Sequence, residues 1–128
     1  GASTGTLSWL GGGNCGAGCT LRGVCKAAGE ARVAYLAEDR GQWGVHVNAS
    51  SAGPLKPPAG AAAGVSEVPR TYQHMAPLSR NITHEEVGRS GAFLLSDMSD
   101  GITGEILHVD AGYNMMGSPG RLMDQLPD

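Results

Sequence analysis

The stretch "TLSWLGGGNCGAGCTLRGVCK", residues 6–26, decides the fold class because a glycine-rich loop in it joins an apolar run to a helical pattern. The apolar run, residues 6–10, predicts a short buried strand. Over residues 20–39 apolar positions recur at helical spacing, which predicts a long helix that Gly41 and Gly44 end. The chain therefore opens with a strand, a loop and a helix.

Downstream of that helix the alternation of strand and helix continues. The segment "VHVNASSAGP", residues 45–54, predicts a second strand that stops at a Gly-Pro pair. Thr83 and Glu86 predict a capping box at the start of a second helix, and "ILHV", residues 106–109, predicts a third strand. The residues expected on the buried face of the second helix are Val87, Leu94, Leu95 and Met98. Strands alternating with helices indicate an α/β fold with a parallel sheet.

Length and composition limit what the chain can bury. At 128 residues it is long enough for one domain. Glycine accounts for 21 residues, whereas there are only one Phe, two Trp and three Tyr, so the core must be built from aliphatic side chains. No apolar run reaches the roughly eighteen residues that a membrane span needs. We therefore expect a cytoplasmic or organellar-matrix protein.

Charge and cysteine usage exclude several classes of partner. A net charge of -3 provides no basic stripe for nucleic acid and no polybasic segment for an anionic membrane. The cysteines Cys15, Cys19 and Cys25 have no C-x-x-C spacing, which favours reduced thiols over a disulfide framework or a zinc site. We expect no metal, no nucleic acid and no membrane among the partners.

The glycines Gly11, Gly13 and Gly16 match the G-x-G-x-x-G pattern of a dinucleotide-binding loop. Such a loop also needs an acidic residue about twenty positions on, at the end of the next strand, to bind the ribose. The next strand ends in "NASSAGP" instead, and the acids Glu38 and Asp39 fall at the end of the helix. A flexible loop is therefore favoured over a free-standing nucleotide site, which is kept as a weaker alternative.

A more specific signal is the series "SAGP", "APL", "EEVG", "FLLSD", "GITGE" and "HVDAGY", in this order along the chain. With these motifs the sequence from Thr6 to Gly117 resembles the C-terminal half of the enoyl-acyl carrier protein reductases of type II fatty-acid synthesis, a branch of the short-chain dehydrogenase/reductase superfamily. The resemblance implies NADH as cofactor and reduction of the trans-2 double bond of enoyl thioesters, carried by acyl carrier protein or coenzyme A. The N-terminal half of that family has no counterpart in these residues.

The resemblance also implies a domain organisation. We expect the C-terminal half of a Rossmann-like, doubly wound parallel sheet, with about three parallel strands, helices and an irregular lid insertion. The insertion contains a short helical candidate, "RTYQHMA", residues 70–76. The expected parts of this single partial domain, residues 1–128, are strand-helix-strand at 6–54, the lid-like insertion at 55–78, helix-strand at 79–117 and a tail at 118–128.

The family carries a Tyr-x6-Lys pair on the long helix, and its lysine matches Lys26. The resemblance implies that Lys26 is catalytic and binds the nicotinamide ribose, while the tyrosine donates a proton to the enolate oxygen. Cys19 stands where that tyrosine belongs, and its shorter side chain cannot bring the thiol within hydrogen-bond distance. Trp9 replaces a second family tyrosine. We therefore expect the chain by itself to be inactive.

The "SAGPLK" turn matches the family more closely. The resemblance implies that the backbone of Gly53, Pro54 and Leu55 binds the nicotinamide carboxamide. Pro57 stands where the family has a threonine that contacts the pyrophosphate, and proline has neither a hydroxyl nor a backbone N–H to donate. The cofactor-binding residues implied are thus Lys26 and the three residues of this turn.

Two functions remain open at this point. One is part of an NADH-dependent enoyl reductase, cut from a longer chain, since the sequence begins in mid-pattern at Gly1. The other is a non-catalytic, diverged module for oligomerisation or interaction. In the family the helix corresponding to 20–39 packs on its copy in a homotetramer, so we expect a homo-oligomer in either case. An open edge at the first strand would also favour association.

Overall fold

A computed structural model describes the parts of the chain given at the end of this paragraph. It contains six regular elements in the order strand, helix, strand, helix, helix, strand. They are β1 (Ala2–Trp9), α1 (Thr20–Gly41), β2 (Val45–Ala52), α2 (Glu67–Met75), α3 (His84–Leu94) and β3 (Ile106–Val109). The described parts are residues 1–9, 12–13, 19–55 and 67–125, with the backbone only at 67–70 and 125.

The three strands form one parallel sheet in the order β1-β2-β3. Ala2 pairs with Val45 at one end of β1 and Trp9 pairs with Ala52 at the other. Ala52 also pairs with Val109, so the carboxyl ends of all three strands lie side by side. Parallel strands combined with helices confirm the α/β prediction. In such sheets ligands bind beyond the carboxyl ends of the strands.

Helix α1 and strand β2 form the first core cluster. Val33 and Ala37 of α1 pack against Val47 and Ala49 of β2, and all four side chains are buried. The helix begins at Thr20, as predicted, and ends at Gly41. The opposite face of α1 stays exposed because no described element packs on it.

Helix α3 begins with the predicted capping box. The Thr83 hydroxyl accepts a hydrogen bond from the Glu86 amide at 3.2 Å, and the Glu86 carboxylate accepts one from the Thr83 amide at 2.8 Å. Arg80 donates to the same carboxylate at 2.6 and 3.0 Å. The hydrogen bond from Arg80 lowers the pKa of Glu86 to about 2. The start of this helix is therefore held by local contacts that the sequence predicted.

The end of α3 was predicted wrongly. The helix stops at Leu94, which is buried, whereas Leu95 is 55% exposed and Met98 is 80% exposed. The Ser99 hydroxyl donates to the Leu94 carbonyl at 3.1 Å, so a side chain satisfies a carbonyl that a continuing helix would have bonded. The chain then turns into a short 3-10 helix at Asp97–Ser99, which directs Leu95 and Met98 to the surface.

Helix α2 lies within the predicted insertion and begins at Glu67, earlier than the expected residue 70. It contributes Tyr72 and Ala76 to a second core cluster, together with Ile82 and Ala111. The segment after β3 ends in a 3-10 helix at Gly120–Gln125 that packs on α2.

Some sequence predictions fall on residues outside the described ranges. They concern the pattern glycines Gly11 and Gly16, the last residue of the first predicted strand, and Pro57 with the rest of the insertion up to residue 66. Within the described ranges, β1 starts at Ala2 and not at residue 6. No helix of the described chain is long and apolar enough to cross a membrane.

Candidate active site

Lys26 lies beside the carboxyl end of β1. Its ammonium group donates a hydrogen bond to the Leu7 carbonyl at 2.9 Å, which ties the second turn of α1 to the strand. Leu7 pairs with Ser50 of β2, so this anchor stands three residues before Gly53 on the neighbouring strand. A lysine has three N–H donors, and this bond uses one of them. Lys26 is thus held at the carboxyl end of β1, and this bond leaves two of its N–H donors for a ligand.

Cys19 occupies the N-cap of α1 and is half-buried. Its thiol makes no capping hydrogen bond to the helix. Seven residues are about two turns of an α-helix, so Cys19 and Lys26 project from the same side of α1. The structure therefore places a thiol at the N-terminus of α1, about two turns before Lys26.

Two polar residues near Lys26 were not singled out from the sequence. The buried Ser8 hydroxyl, one residue before the end of β1, donates to the Glu30 carboxylate. A Cβ at Gly12 would come within 2.5 Å of that carboxylate, so a larger residue here would displace the flexible Glu30 side chain. The sequence signal was the spacing of Glu30, four residues after Lys26 and on the same helix face. Gly12 of the loop thus lies against the Glu30 carboxylate.

The end of β1 also carries an aromatic contact. Trp9 is the last residue of the strand, and the Arg22 guanidinium lies 5.5 Å from the centre of its ring. This cation–π contact orients the indole towards α1. The contact adds a second connection between the end of β1 and the first turns of that helix.

The predicted turn Gly53–Leu55 directly follows β2. The Gly53 amide donates to the Val109 carbonyl at 3.0 Å, which extends the β2–β3 pairing by one residue. A Cβ at Gly53 would come within 2.5 Å of the Tyr72 hydroxyl and within 3.1 Å of the Asp110 Cα. Only glycine fits this space. Leu55 packs against the second core cluster.

Tyr72 lies over this turn and has no role in the sequence-based interpretation. Its hydroxyl donates to the Asp110 carbonyl at 2.9 Å, and its ring stacks on Tyr113 with ring centres 4.2 Å apart. Burial, followed by the nearby Asp110, raises the pKa of Tyr72 well above its usual range. The only sequence signal was an apolar spacing of four between Tyr72 and Ala76 in a polar helix.

Asp110 shapes the turn that follows β3. Its carboxylate accepts hydrogen bonds from the Gly112 amide at 2.9 Å and the Asn114 amide at 2.8 Å. These bonds hold a tight turn in which Ala111 has a φ of 57° and Gly112 a φ of 86°. The motif "HVDAGY" thus encodes the turn that follows β3, with the aspartate satisfying its backbone donors.

The site therefore has two sides at neighbouring strand ends. Lys26 and Cys19 lie on the α1 side, and the Gly53–Leu55 backbone lies on the β2 side. The structure brings the predicted residues to the same end of the sheet. This arrangement offers a polar ligand the Lys26 ammonium group and the Leu55 amide, because the Gly53 amide is bonded to the Val109 carbonyl and Pro54 has no N–H.

Comparison with known proteins gives the family. A family model described as enoyl-(acyl carrier protein) reductase matches residues 1–114. The chain is 46% identical over 118 residues to the enoyl-(acyl-carrier-protein) reductase (NADH) of a Nostoc strain, and 45% identical over 113 residues to that of Bacillus cereus. These matches cover 91% and 88% of the chain but only 46% and 44% of the relatives.

Solved structures agree with the sequence matches. The Bacillus cereus enoyl-acyl carrier protein reductase, solved with NADP+ and indole naphthyridinone, superimposes with a TM-score of 0.85 at 43% identity. The reductase of Anaplasma phagocytophilum, solved with NAD, gives a TM-score of 0.84 at 39% identity. The chain covers 46% and 45% of these two proteins, so it spans about half of their length. The resemblance predicted from the motifs is confirmed: the chain belongs to the enoyl-(acyl carrier protein) reductase family.

Proposed function

We propose that this chain forms the nicotinamide-binding part of an NADH-dependent enoyl-acyl carrier protein reductase, which reduces the trans-2 double bond of enoyl thioesters. The observation that carries the proposal is that Lys26, bonded to Leu7 of β1, and the Gly53–Leu55 backbone, which follows β2, lie at the carboxyl ends of two paired strands. The donor set fits the nicotinamide end of a dinucleotide, because an ammonium group suits ribose hydroxyls and the Leu55 amide suits a carboxamide oxygen. Bound NADH would supply the hydride.

The residues of this chain supply the proton poorly. Cys19 is too short to reach the position of a phenol on α1. The Tyr72 hydroxyl already donates a hydrogen bond to the Asp110 carbonyl, and its raised pKa makes it a weak acid. Tyr35 is exposed on α1, far along the helix from Lys26. We therefore propose that the chain by itself binds NADH weakly and does not turn over.

The test is a titration with millimolar NADH, in which the fluorescence of the nicotinamide reports binding. Lys26→Ala should weaken binding about tenfold through loss of a charged hydrogen-bond donor. Arg32→Ala is the matched control, since Arg32 is an exposed cation further along the same helix. Equal binding by the wild type and Lys26→Ala would contradict the proposal.

A second function is a diverged, non-catalytic module of the same fold. The observation in its favour is the thiol at the N-cap of α1 in place of a phenol. The variant Cys19→Tyr separates the two functions. If it gains NADH oxidation dependent on a short enoyl thioester, the site is otherwise competent. If it folds and stays inactive at saturating NADH, the non-catalytic function is favoured.

We also propose that the chain acts in a reducing compartment, the cytoplasm or an organellar matrix.

A further proposal is that the chain forms a homo-oligomer. Two large apolar side chains on one face of α1, Leu21 and Val24, are 79% and 64% exposed. Burying them against a second copy would remove this apolar surface from water. Val24→Glu should shift the sedimentation of the chain towards the monomer, whereas Met98→Glu, on another exposed apolar residue, should not.

A further inference from the structure

Tyr72 connects helix α2 to the segment that follows β3. Its side chain is 6% exposed, its hydroxyl donates to the Asp110 carbonyl at 2.9 Å, and its ring stacks on Tyr113 with an interplanar angle of 18°. Because the hydrogen bond and the stack fix both ends of the side chain, α2 cannot rotate or withdraw without losing both. Tyr72 is therefore the direct link between this helix and the turn at the carboxyl end of β3.

The same phenol lies against the Gly53–Leu55 turn. The space where a Cβ of Gly53 would lie is within 2.5 Å of the Tyr72 hydroxyl. The Gly53 amide donates a hydrogen bond to the carbonyl of Val109, which is the residue before Asp110. Gly53, Tyr72 and the Asp110 backbone thus form one packed unit. Any displacement of Tyr72 would open space directly beside the turn.

A second contact holds the end of α2 independently. The Leu78 amide donates to the Ala111 carbonyl at 3.2 Å, and the Pro77 ring lies so close to Gly112 that a Cβ there would come within 3.0 Å of it. These contacts keep the chain after α2 on the sheet if the Tyr72 bond is lost. Tyr72 is the contact that reaches Gly53.

From these contacts we infer that Tyr72 is a positioning residue, which clamps α2 onto the Gly53–Leu55 turn and so sets the geometry in which that backbone meets its ligand. The identity of the ligand as the nicotinamide end of NADH rests on the proposed function. Tyr72 acts through Gly53 and through its packing beside Leu55 in the second core cluster, not by contact with the reacting atoms.

The variant Tyr72→Phe tests this role without removing the core. It keeps the ring that stacks on Tyr113 and removes only the hydroxyl. The Asp110 carbonyl also accepts a hydrogen bond from the Tyr113 amide at 3.1 Å, so it keeps one partner in the variant. Tyr35→Phe is the matched control, since Tyr35 is exposed on α1.

The first measurement needs no ligand. Amide hydrogen exchange of residues 71–76 should become about fivefold faster in Tyr72→Phe, a typical effect of one lost hydrogen bond. The NMR amide resonances of Gly53 and Leu55 should move in Tyr72→Phe. Exchange in α1 should stay as in the wild type, and Tyr35→Phe should leave the Gly53 and Leu55 resonances where they are. Unmoved Gly53 and Leu55 amides, or equal loss of protection in α1, would overturn the inference.

The second measurement adds NADH. Tyr72→Phe should raise the Kd for NADH about fivefold, and Tyr35→Phe should leave it unchanged. Moved Gly53 and Leu55 amides with an unchanged Kd would overturn the positioning role. If the wild type binds no NADH while these amides still move, the proposed function is wrong. The positioning of the Gly53–Leu55 turn by Tyr72 is then still supported.

Discussion

At the carboxyl end of β1 the candidate site is held by a few polar contacts, whereas at the end of β2 it is held by dense packing. Five of the eight residues of β1 are exposed, and five of the eight residues of β2 are buried. Lys26 is attached by one exposed hydrogen bond, but Gly53 is enclosed by Tyr72 and Asp110. The described chain thus builds the β2 side of the site by itself and leaves the β1 side largely open to solvent.

The difference follows from the position of each strand in the sheet. β2 has a strand on both edges, while β1 pairs with β2 alone among the described strands. Grooves of about 350 Å³ and about 190 Å³ flank β1, one towards α1 and one towards α3. A parallel strand is normally covered on both faces. The relatives are about twice as long as this chain, and we propose that their additional residues cover the corresponding strand.

The largest effect on stability is expected from Gly53→Ala, which adds a methyl group to the packed β2 side of the site. The new Cβ would meet the Tyr72 hydroxyl and the Asp110 backbone, and backbone cannot move aside cheaply. We expect a loss of about 2–3 kcal/mol in the free energy of unfolding, measured by urea denaturation. Gly88→Ala is the control, because its Cβ would meet nothing within 4 Å. Gly88→Ala should raise the free energy of unfolding by up to about 1 kcal/mol, because alanine favours a helix more than glycine does. A neutral Gly53→Ala would show that this side is not tightly packed.

The next effect is expected from Val33→Ala, in the core between α1 and β2. Val33 is 2% exposed, so its truncation leaves a cavity beside Val47 and should cost about 2 kcal/mol. Val24→Ala removes the same atoms from an exposed position of the same helix. It should change the urea midpoint little at concentrations where the chain is monomeric, because Val24 is then exposed. Equal losses for the two variants would mean that α1 is not docked on β2 as described.

A smaller effect depends on pH and concerns the cap of α3, which borders the packed side. The hydrogen bond from Arg80 lowers the pKa of Glu86 from an ordinary value of 4.5 to about 2 in the folded chain. The stabilisation is therefore complete above about pH 5 and is lost as the pH falls towards 2. Unfolding curves between pH 2 and 6 should show this loss in the wild type. Glu86→Gln should remove that part of the pH dependence, and an unchanged profile would contradict it.

The smallest effect on stability is expected from Lys26→Met, on the open side. Its hydrogen bond to the Leu7 carbonyl is exposed, so the change in free energy of unfolding should stay within about 0.5 kcal/mol. Thermal unfolding measures this change. A loss comparable to that of Gly53→Ala would show that the two sides of the site do not differ as proposed.

Much of the fold could be predicted because its signals are local. The start of α1 at Thr20, the capping box at Thr83 and the strand at 106–109 each depend on residues close together in sequence. Leu95 and Met98 were misassigned because their burial depends on where α3 stops. That point is set by the Ser99 hydroxyl, which reaches back to Leu94.

The candidate site was predictable only in part. The motifs named Lys26 and the Gly53–Leu55 turn, since the family pattern marks their positions. Tyr72, Ser8 and Glu30 carry no such mark. Their contacts join residues 38 and 22 positions apart in the chain, and no local pattern encodes such a distance.

The sequence by itself determined the family, the order of strands and helices, and the absence of a tyrosine two turns before Lys26. Each of these follows from residue identity and spacing along one chain. Only the tertiary structure decided why position 53 must be glycine, because the phenol of Tyr72 arrives there from a separate helix. It also decided that β1 stays exposed, since the burial of a strand depends on which elements pack against it.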